Sequence, residues 1–113
     1  MLFVLSPAKA LDYSSPLPHA VDSSAPVFQD RAADLIAELK QLNTAQVASL
    51  MDLSDKLAQL NVDRYAAWKK KPAPDMVRPA ALAFNGDVYE GLDAKTLSAK
   101  QLHWVDNHAR ILS

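Results

Sequence analysis

The chain of 113 residues contains no cysteine and only two glycines. The absence of thiols excludes disulfides, thiolate nucleophiles and thiolate metal sites within it, and is typical of proteins in the reducing cytoplasm. No apolar run approaches the roughly 20 residues that a membrane-spanning helix requires, so no membrane partner is expected. Twelve basic and thirteen acidic residues leave a formal net charge of −1. Because no overall field attracts nucleic acid, any anion site must come from a local cluster of cations.

The N-terminus combines an apolar run with a polar cluster. Residues 1–5 are all apolar and predict a strand buried on both faces. Pro7 must end this strand, because proline has no backbone N–H to donate to a ladder. Ser6, Lys9 and Asp12 lie at or beyond that end, which is where ligands bind in open α/β sheets, so they are candidate site residues. The alternative is a turn whose charges are solvated or paired with each other.

The middle of the chain has the periodicity of helices. Apolar residues at spacings of three and four predict a helix over residues 28–42. A second helix is expected after a cap at Asn43 or Thr44. A third is expected after a cap at Asn61, and it ends in the three lysines at 69–71, whose charges suit the helix dipole.

The last third of the chain predicts two further strands around one helix. We interpret residues 81–84 as a buried strand, with a helix as the alternative because alanine is a poor strand former. Residues 97–107 predict a helix with Ser98 as its cap, and residues 110–112 predict the start of a final strand. Since helices separate the three strand segments, we expect all three, residues 2–5 included, to pair in one largely parallel sheet.

A polar pocket is expected where the first two of these strands end. The turn after residue 84 contains Gly86, and a chain with so few glycines should use both Gly86 and Gly91 where φ is positive or backbone approach is close. Polar side chains that follow this turn could meet those that follow the first strand, in a pocket able to hold an anion or to perform acid–base chemistry. The five candidates are Ser6, Lys9, Asp12, Asp87 and Tyr89.

Four segments of this sequence have the character of motifs: Ser6-Pro7-Ala8-Lys9-Ala10-Leu11-Asp12; Leu53-Ser54-Asp55-Lys56-Leu57-Ala58-Gln59-Leu60-Asn61 with Arg64 and Trp68; Phe84-Asn85-Gly86-Asp87-Val88-Tyr89-Glu90-Gly91-Leu92; and Arg110-Ile111-Leu112-Ser113. Taken in this order, they resemble the motifs of the YaaA family of bacterial peroxide stress resistance proteins. The chain departs from the family pattern at Ala10, where threonine is usual, and at Asn85, where lysine is common. Family members are longer, so the resemblance covers their N-terminal half.

The resemblance implies an α/β fold with a small mixed or parallel sheet, packed helices and a helix-hairpin-helix-like element. Residues 1–113 would form the N-terminal part of one such domain: a strand and the first motif in 1–12, the helical region with its hairpin in 28–71, and a strand, helix and strand in 80–113. Because the domain is then incomplete, we expect exposed apolar surface near residues 81–84 and the final strand, and self-association through it.

The function implied by the resemblance is that of a cytoplasmic protein that limits peroxide damage, lowers free iron and, as the intact protein, binds duplex DNA. A helix-hairpin-helix element binds the duplex backbone through free amides and nearby cations. Residues 57–61 occupy the hairpin position, with both usual glycines replaced. The candidate DNA-binding residues are Lys56, Asn61, Arg64, Lys69 and Lys70. The alternative for these cations is a solvated helix face and a dipole-compensated helix end.

No residue pattern identifies a catalysed reaction, and a non-enzymatic protein is favoured over an enzyme or small-anion-binding protein built on the five pocket residues. No cofactor is expected. The three histidines have no metal-ligand spacing, since His103 and His108 point to different faces of a helix, so no metal site is expected. Tyr65 and Trp68 have the spacing of a buried helix face, which favours a core position over a base-stacking one.

Overall fold

The computed structural model describes residues 1–113, and their contacts form two compact units. Residues 25–73 form one, which we call the helical unit. Residues 1–24 and 74–113 together form the other, which we call the α/β unit. Both helices and small sheets are present, as the sequence predicts. None of the helices is both long and apolar enough to cross a membrane.

The helical unit contains three helices: α1 (Gln29–Leu39), α2 (Thr44–Met51) and α3 (Asp55–Ala67). Of the two predicted cap positions, Asn43 is the cap and Thr44 is the first residue of α2; the cap is a complete capping box. The Asn43 side chain accepts from the Gln46 backbone N–H at 2.9 Å, and the Gln46 side chain accepts from the Asn43 N–H at 2.9 Å. Val47 of α2 and Ala58 of α3 are fully buried and form the core of this unit.

The predicted position of the hairpin is wrong. Residues 57–61 lie inside α3, and the turn between α2 and α3 comes earlier, at residues 52–54. Ser54 caps α3 by accepting from the Leu57 N–H at 3.4 Å. The Asn61 amide therefore caps nothing and instead donates to the Leu57 carbonyl at 2.8 Å. The physical reason is that Ser54 is an equally good cap at an earlier position, and the residues after it are good helix formers.

The α/β unit contains two separate two-stranded pairs, so the expectation of one sheet is wrong. Strand β1 (Phe3–Leu5) pairs in parallel with β4 (Ala109–Ile111), in the register Phe3 to Ala109. Strand β2 (Ala10–Leu11) pairs antiparallel with β3 (Phe84–Asn85). The parallel pairing of the first and last strands is as predicted, but the segment at 81–84 joins neither of them.

Three helices complete this unit: α4 (Ala80–Ala83), α5 (Asp87–Leu92) and α6 (Ala99–His108). Single 3-10 turns lie at Pro74–Met76 and Ala94–Thr96. The predicted strand at 81–84 is mostly the helical turn α4, because its alanines favour a helix over a strand. The predicted Ser98 cap of α6 is confirmed, with Gln101 completing a capping box.

The core of the α/β unit lies around α4 and α5, and not around β1. Its buried residues are Leu82, Ala83, Tyr89 and Ala94. The prediction that the first strand is buried on both faces is wrong, since Phe3 is 46% exposed and Val4 is 56% exposed. With only two strands in its sheet, β1 has nothing packed against most of its surface. The expected exposed apolar surface is found at the final strand, where Leu112 is 67% exposed, and also on β1, but not at residues 81–84; that a second copy covers it stays a prediction.

Only one of the two glycines is explained by close packing. A Cβ placed on Gly86 would lie 3.3 Å from the Ala8 Cβ, which is a tight contact, so close backbone approach is confirmed there. Gly91 has open space around it and a negative φ, so the prediction is wrong for that residue. The left-handed conformation is adopted by Asp52 and Asp93 instead, because a short polar side chain tolerates positive φ.

Candidate functional site

Two adjoining cavities in the α/β unit contain four of the five predicted pocket residues. Lys9, Asp87 and Tyr89 line a shallow cavity of about 300 Å³. Asp12 and Tyr89 line a second cavity of about 130 Å³, together with Lys95. Tyr89 lines both cavities, so it separates Lys9 and Asp87 in the first from Asp12 and Lys95 in the second.

The antiparallel pairing of β2 and β3 explains why Lys9 and Asp87 share a cavity. Ala10 is the register partner of Asn85, so Lys9 immediately before one strand and Asp87 shortly after the other lie at the same end of the ladder. The sequence argument expected the two residues to meet at the carboxyl ends of parallel strands. The structure brings them to one cavity by a different topology.

Tyr89 is the best-held side chain of the site. It is buried, its ring stacks on Phe84 at 5.3 Å between centroids, and its hydroxyl donates to the Ser6 carbonyl at 2.6 Å. Ser6 therefore contributes its backbone to this contact and not its hydroxyl. Burial raises the pKa of the Tyr89 phenol, so it remains a hydrogen-bond donor at neutral pH.

Asp12 has the role of a turn cap in this structure. Its Oδ1 accepts from the backbone N–H of Ser14 at 3.0 Å and of Ser15 at 2.9 Å. Its Oδ2 lies 3.6 Å from the Lys95 Nζ. Hydrogen bonds from Ser15 and Ser14, aided by the Lys95 charge, hold the pKa of the Asp12 carboxyl well below its usual range. An ionised carboxylate with these partners is not available as a general acid.

The charge balance limits what the larger cavity can bind. Lys9 is its single lining cation and Asp87 its single lining anion. The Asn85 side chain adds an amide with both donor and acceptor atoms. One ammonium, one carboxylate and one amide can orient a small polar molecule, but they supply little net attraction for a multiply charged anion.

The predicted DNA-binding residues all lie in the helical unit. Lys56 is exposed in the first turn of α3, and Arg64 is exposed near its end. Lys69 and Lys70 follow the helix and are also exposed. Lys70 forms an ion pair with Asp30, and this hydrogen-bonded contact raises the pKa of its ammonium. Asn61 lies within α3, so the backbone N–H groups that follow it are used in the helix and are not free to bind a phosphate.

Sequence reasoning missed a fourth ammonium near the lysines at 69–71. The Lys40 Nζ donates to the Trp68 carbonyl at 3.4 Å, which brings the end of α1 to the end of α3. The contact joins residues 28 positions apart in the chain, so no local pattern could reveal it. We call Lys40, Lys69 and Lys71 the basic end of the helical unit.

The histidines serve local contacts. The His108 ring stacks on Trp104 at 4.0 Å between centroids, and the Asn107 amide donates to the His103 carbonyl at 2.8 Å. The His19 ring lies 3.1 Å from the Ala20 carbonyl oxygen and 3.0 Å from that of Leu97. No group of three or more histidine or carboxylate side chains has the arrangement of a metal site.

Comparisons with known proteins agree with one another. A family model described as "Peroxide stress protein YaaA" matches residues 1–113. UPF0246 proteins of Paraburkholderia phytofirmans and Paraburkholderia xenovorans are each 54% identical over all 113 residues. A UPF0246 protein of Burkholderia pseudomallei strain K96243 is 52% identical over the same length. The chain spans 43% of the length of these curated relatives.

Proposed function

Because the chain belongs to the family of the peroxide stress protein YaaA, we propose that it contributes to peroxide resistance by binding the backbone of duplex DNA through its helical unit. We place this activity in the cytoplasm, where it helps to limit iron-dependent oxidative damage. The link to iron comes from the family resemblance and not from a ligand cluster in this chain. The binding is independent of base sequence, since ammonium contacts to phosphate carry no sequence information.

The contact of Lys40 with the Trp68 carbonyl carries this proposal. It brings the Lys40 ammonium, just after the end of α1, to the backbone just after the end of α3, where Lys69 and Lys71 follow in the chain. Lys70, between Lys69 and Lys71, is already paired with Asp30, so it adds less. The helical unit has seven basic and six acidic residues, so the attraction for phosphate is local to this end.

Lys56 gives a second point of contact at the other end of α3. From Lys56 the helix runs eleven positions to its last residue, Ala67, which corresponds to about 17 Å along the helix axis, or roughly five base pairs of duplex rise. Ser54 caps the Leu57 N–H, and the remaining first-turn amides of α3, beside Lys56, have no intrahelical partner; a helix N-terminus favours a phosphate. Asp52 and Asp55 lie beside Lys56 in the chain and weaken this second contact relative to the basic end.

The experiment is duplex binding by the 113-residue chain over a series of salt concentrations. If phosphate contacts carry binding, the logarithm of affinity falls linearly with the logarithm of salt concentration, with a slope near −0.9 per phosphate neutralised. Affinity that is independent of salt, or that depends on base sequence, overturns the proposal.

A second candidate function is the binding of a small polar molecule in the cavity lined by Lys9, Asp87 and Tyr89. Its volume of about 300 Å³ is at the lower limit for small-molecule sites. The observation that favours it is that residues from two motifs, far apart in the sequence, surround one space. Saturable chemical-shift changes at Lys9 and Asn85 on titration with small anions or zwitterions would support it, and their absence with all of them would end it.

A further inference from the structure

The three methionines differ in whether the sulfur atom, which hydrogen peroxide oxidises, accepts a hydrogen bond. Met1 and Met76 are 94% and 62% exposed, and their sulfur atoms accept no hydrogen bond. Met51 is 44% exposed, and its Sδ accepts a hydrogen bond from the Tyr65 hydroxyl at 3.1 Å. Met51 is the last residue of α2, and Tyr65 lies on α3. Met51 is thus both partly exposed to solvent and, through its thioether sulfur, part of the contact between two helices.

We propose that Met51 is a modification site for hydrogen peroxide, and that its oxidation releases the Tyr65 contact between α2 and α3. This inference concerns the chemistry of the side chain and does not depend on DNA binding. The next residue, Asp52, has positive φ and begins the turn between the helices. Oxidation of Met51 therefore changes the residue next to the turn that joins α2 to α3.

The reaction is a two-electron oxidation of sulfur. A lone pair of the Met51 Sδ attacks one oxygen of hydrogen peroxide, an S–O bond forms and the O–O bond breaks. The proton on the sulfur-bound oxygen passes to the other oxygen, which leaves as water, so the products are methionine sulfoxide and one water molecule. The thioether, an apolar group, becomes a polar and chiral one.

The Tyr65 hydroxyl determines which sulfoxide forms. A thioether sulfur has two lone pairs, and the hydroxyl at 3.1 Å covers the direction of one of them. Peroxide reaches the other lone pair, so one of the two sulfoxide epimers is formed in excess. The new oxygen then points away from Tyr65, and the sulfoxide sulfur, which carries partial positive charge, no longer accepts its hydrogen bond. Oxidation therefore breaks the contact instead of strengthening it.

The test treats the 113-residue chain with hydrogen peroxide and maps sulfoxides by peptide mass spectrometry. Each oxidised peptide is then incubated with MsrA or with MsrB, which repair opposite epimers. We expect one enzyme to repair most of the Met51 sulfoxide, whereas each enzyme repairs about half of that at Met76. In Tyr65→Phe, the Met51 preference should vanish, and its oxidation rate relative to Met76 should rise by about twofold or more.

The structural consequence is measured on the same samples. Oxidation of the wild-type chain should lower its thermal midpoint by about 4 °C, a shift typical of one lost interaction in a small domain. Met51→Leu should show no such decrease, and Met76→Leu should behave like wild type. Equal amounts of both epimers at Met51, or the same epimer ratio in Tyr65→Phe, would overturn the proposal. A fall in the thermal midpoint on oxidation that is as large in Met51→Leu as in wild type would also overturn it.

Discussion

Ala10 and Asn85 are direct register partners in the antiparallel pair β2–β3. These are the positions at which the chain departs from the first and third of the four motifs that it otherwise resembles. The sequence treats them as unrelated changes in two motifs, 75 positions apart. The structure shows that they form one cross-strand pair, at the edge of the cavity that contains Lys9 and Asp87.

The first prediction is that these two positions are energetically coupled. Restoring the family residues together, as Ala10→Thr with Asn85→Lys, should stabilise the chain beyond the sum of the single changes. Cross-strand pairs contribute roughly 0.2–1 kcal/mol, so the interaction free energy in a double-mutant cycle should lie in that range. Urea denaturation of all four forms measures it, and strict additivity would show that the two side chains do not interact.

The second prediction concerns Tyr89. Replacing it by phenylalanine keeps the stacking on Phe84 but removes the donor to the Ser6 carbonyl. The chain should lose about 1 kcal/mol of its free energy of unfolding, because a part-buried carbonyl is left without its partner. The matched control is Tyr13→Phe, since Tyr13 is exposed and makes no hydrogen bond through its hydroxyl. Equal losses of stability in the two variants would show that the hydrogen bond from Tyr89 to the Ser6 carbonyl does not stabilise the chain.

The third prediction separates the observed cap of α3, Ser54, from the cap predicted at Asn61. Ser54→Ala should cost about 1 kcal/mol of stability, since it removes the acceptor for the Leu57 N–H. Asn61→Ala should stabilise the chain by a few tenths of a kcal/mol, because alanine is the better residue in a helix interior. Helical content by circular dichroism and urea midpoints provide the measurement. The reverse order of effects would restore the hairpin at residues 57–61.

The fourth prediction is a pH dependence at His19. Carbonyl oxygens of Leu97 and Ala20 face its two ring nitrogens and raise its pKa, because only the imidazolium can donate to both. The pKa of a histidine in an unfolded chain is about 6.5, and the contribution of His19 to stability is complete below that pH. The contribution is lost as the pH rises through the higher pKa of His19 in the folded chain. Unfolding midpoints from acid to alkaline pH should show this loss in wild type and in the control His103→Gln. A wild-type profile identical to that of His19→Gln would contradict it.

The sequence predicted the elements whose signals are local. The caps at Asn43 and Ser98 and the strands around Leu5 and Arg110 depend on a few adjacent residues, and the structure contains all of them. The alanine-rich turn α4 was assigned wrongly because an apolar run of four residues has no period that separates strand from helix.

The remaining errors arise where two local signals compete or where a contact is long-range. Ser54 and Asn61 lie in one continuous apolar pattern, and only the packed helix pair decides which of them caps α3. The pairing of β2 with β3 and the approach of Lys40 to Trp68 join distant segments. Sequence reasoning could therefore name residues of both candidate sites, but it could not name Lys40 or the topology that brings Lys9 to Asp87.

The fifth prediction assigns DNA binding to the basic end and to Lys56. Lys69→Ala combined with Lys71→Ala should weaken duplex binding uniformly across sequences and reduce the magnitude of the salt slope by about two units. Lys56→Ala should reduce it by about one unit or less. Lys100→Ala, an exposed lysine on α6 of the α/β unit, controls for the loss of one positive charge.

Fluorescence anisotropy of a labelled duplex, titrated with these three variants and wild type over one salt series, is the most direct test of the proposed function. The account predicts that wild type and Lys100→Ala share one slope, that Lys56→Ala has a shallower slope, and that the double variant has the shallowest. A common slope for all the proteins, or a loss as large in Lys100→Ala as in the double variant, would contradict duplex binding through the helical unit.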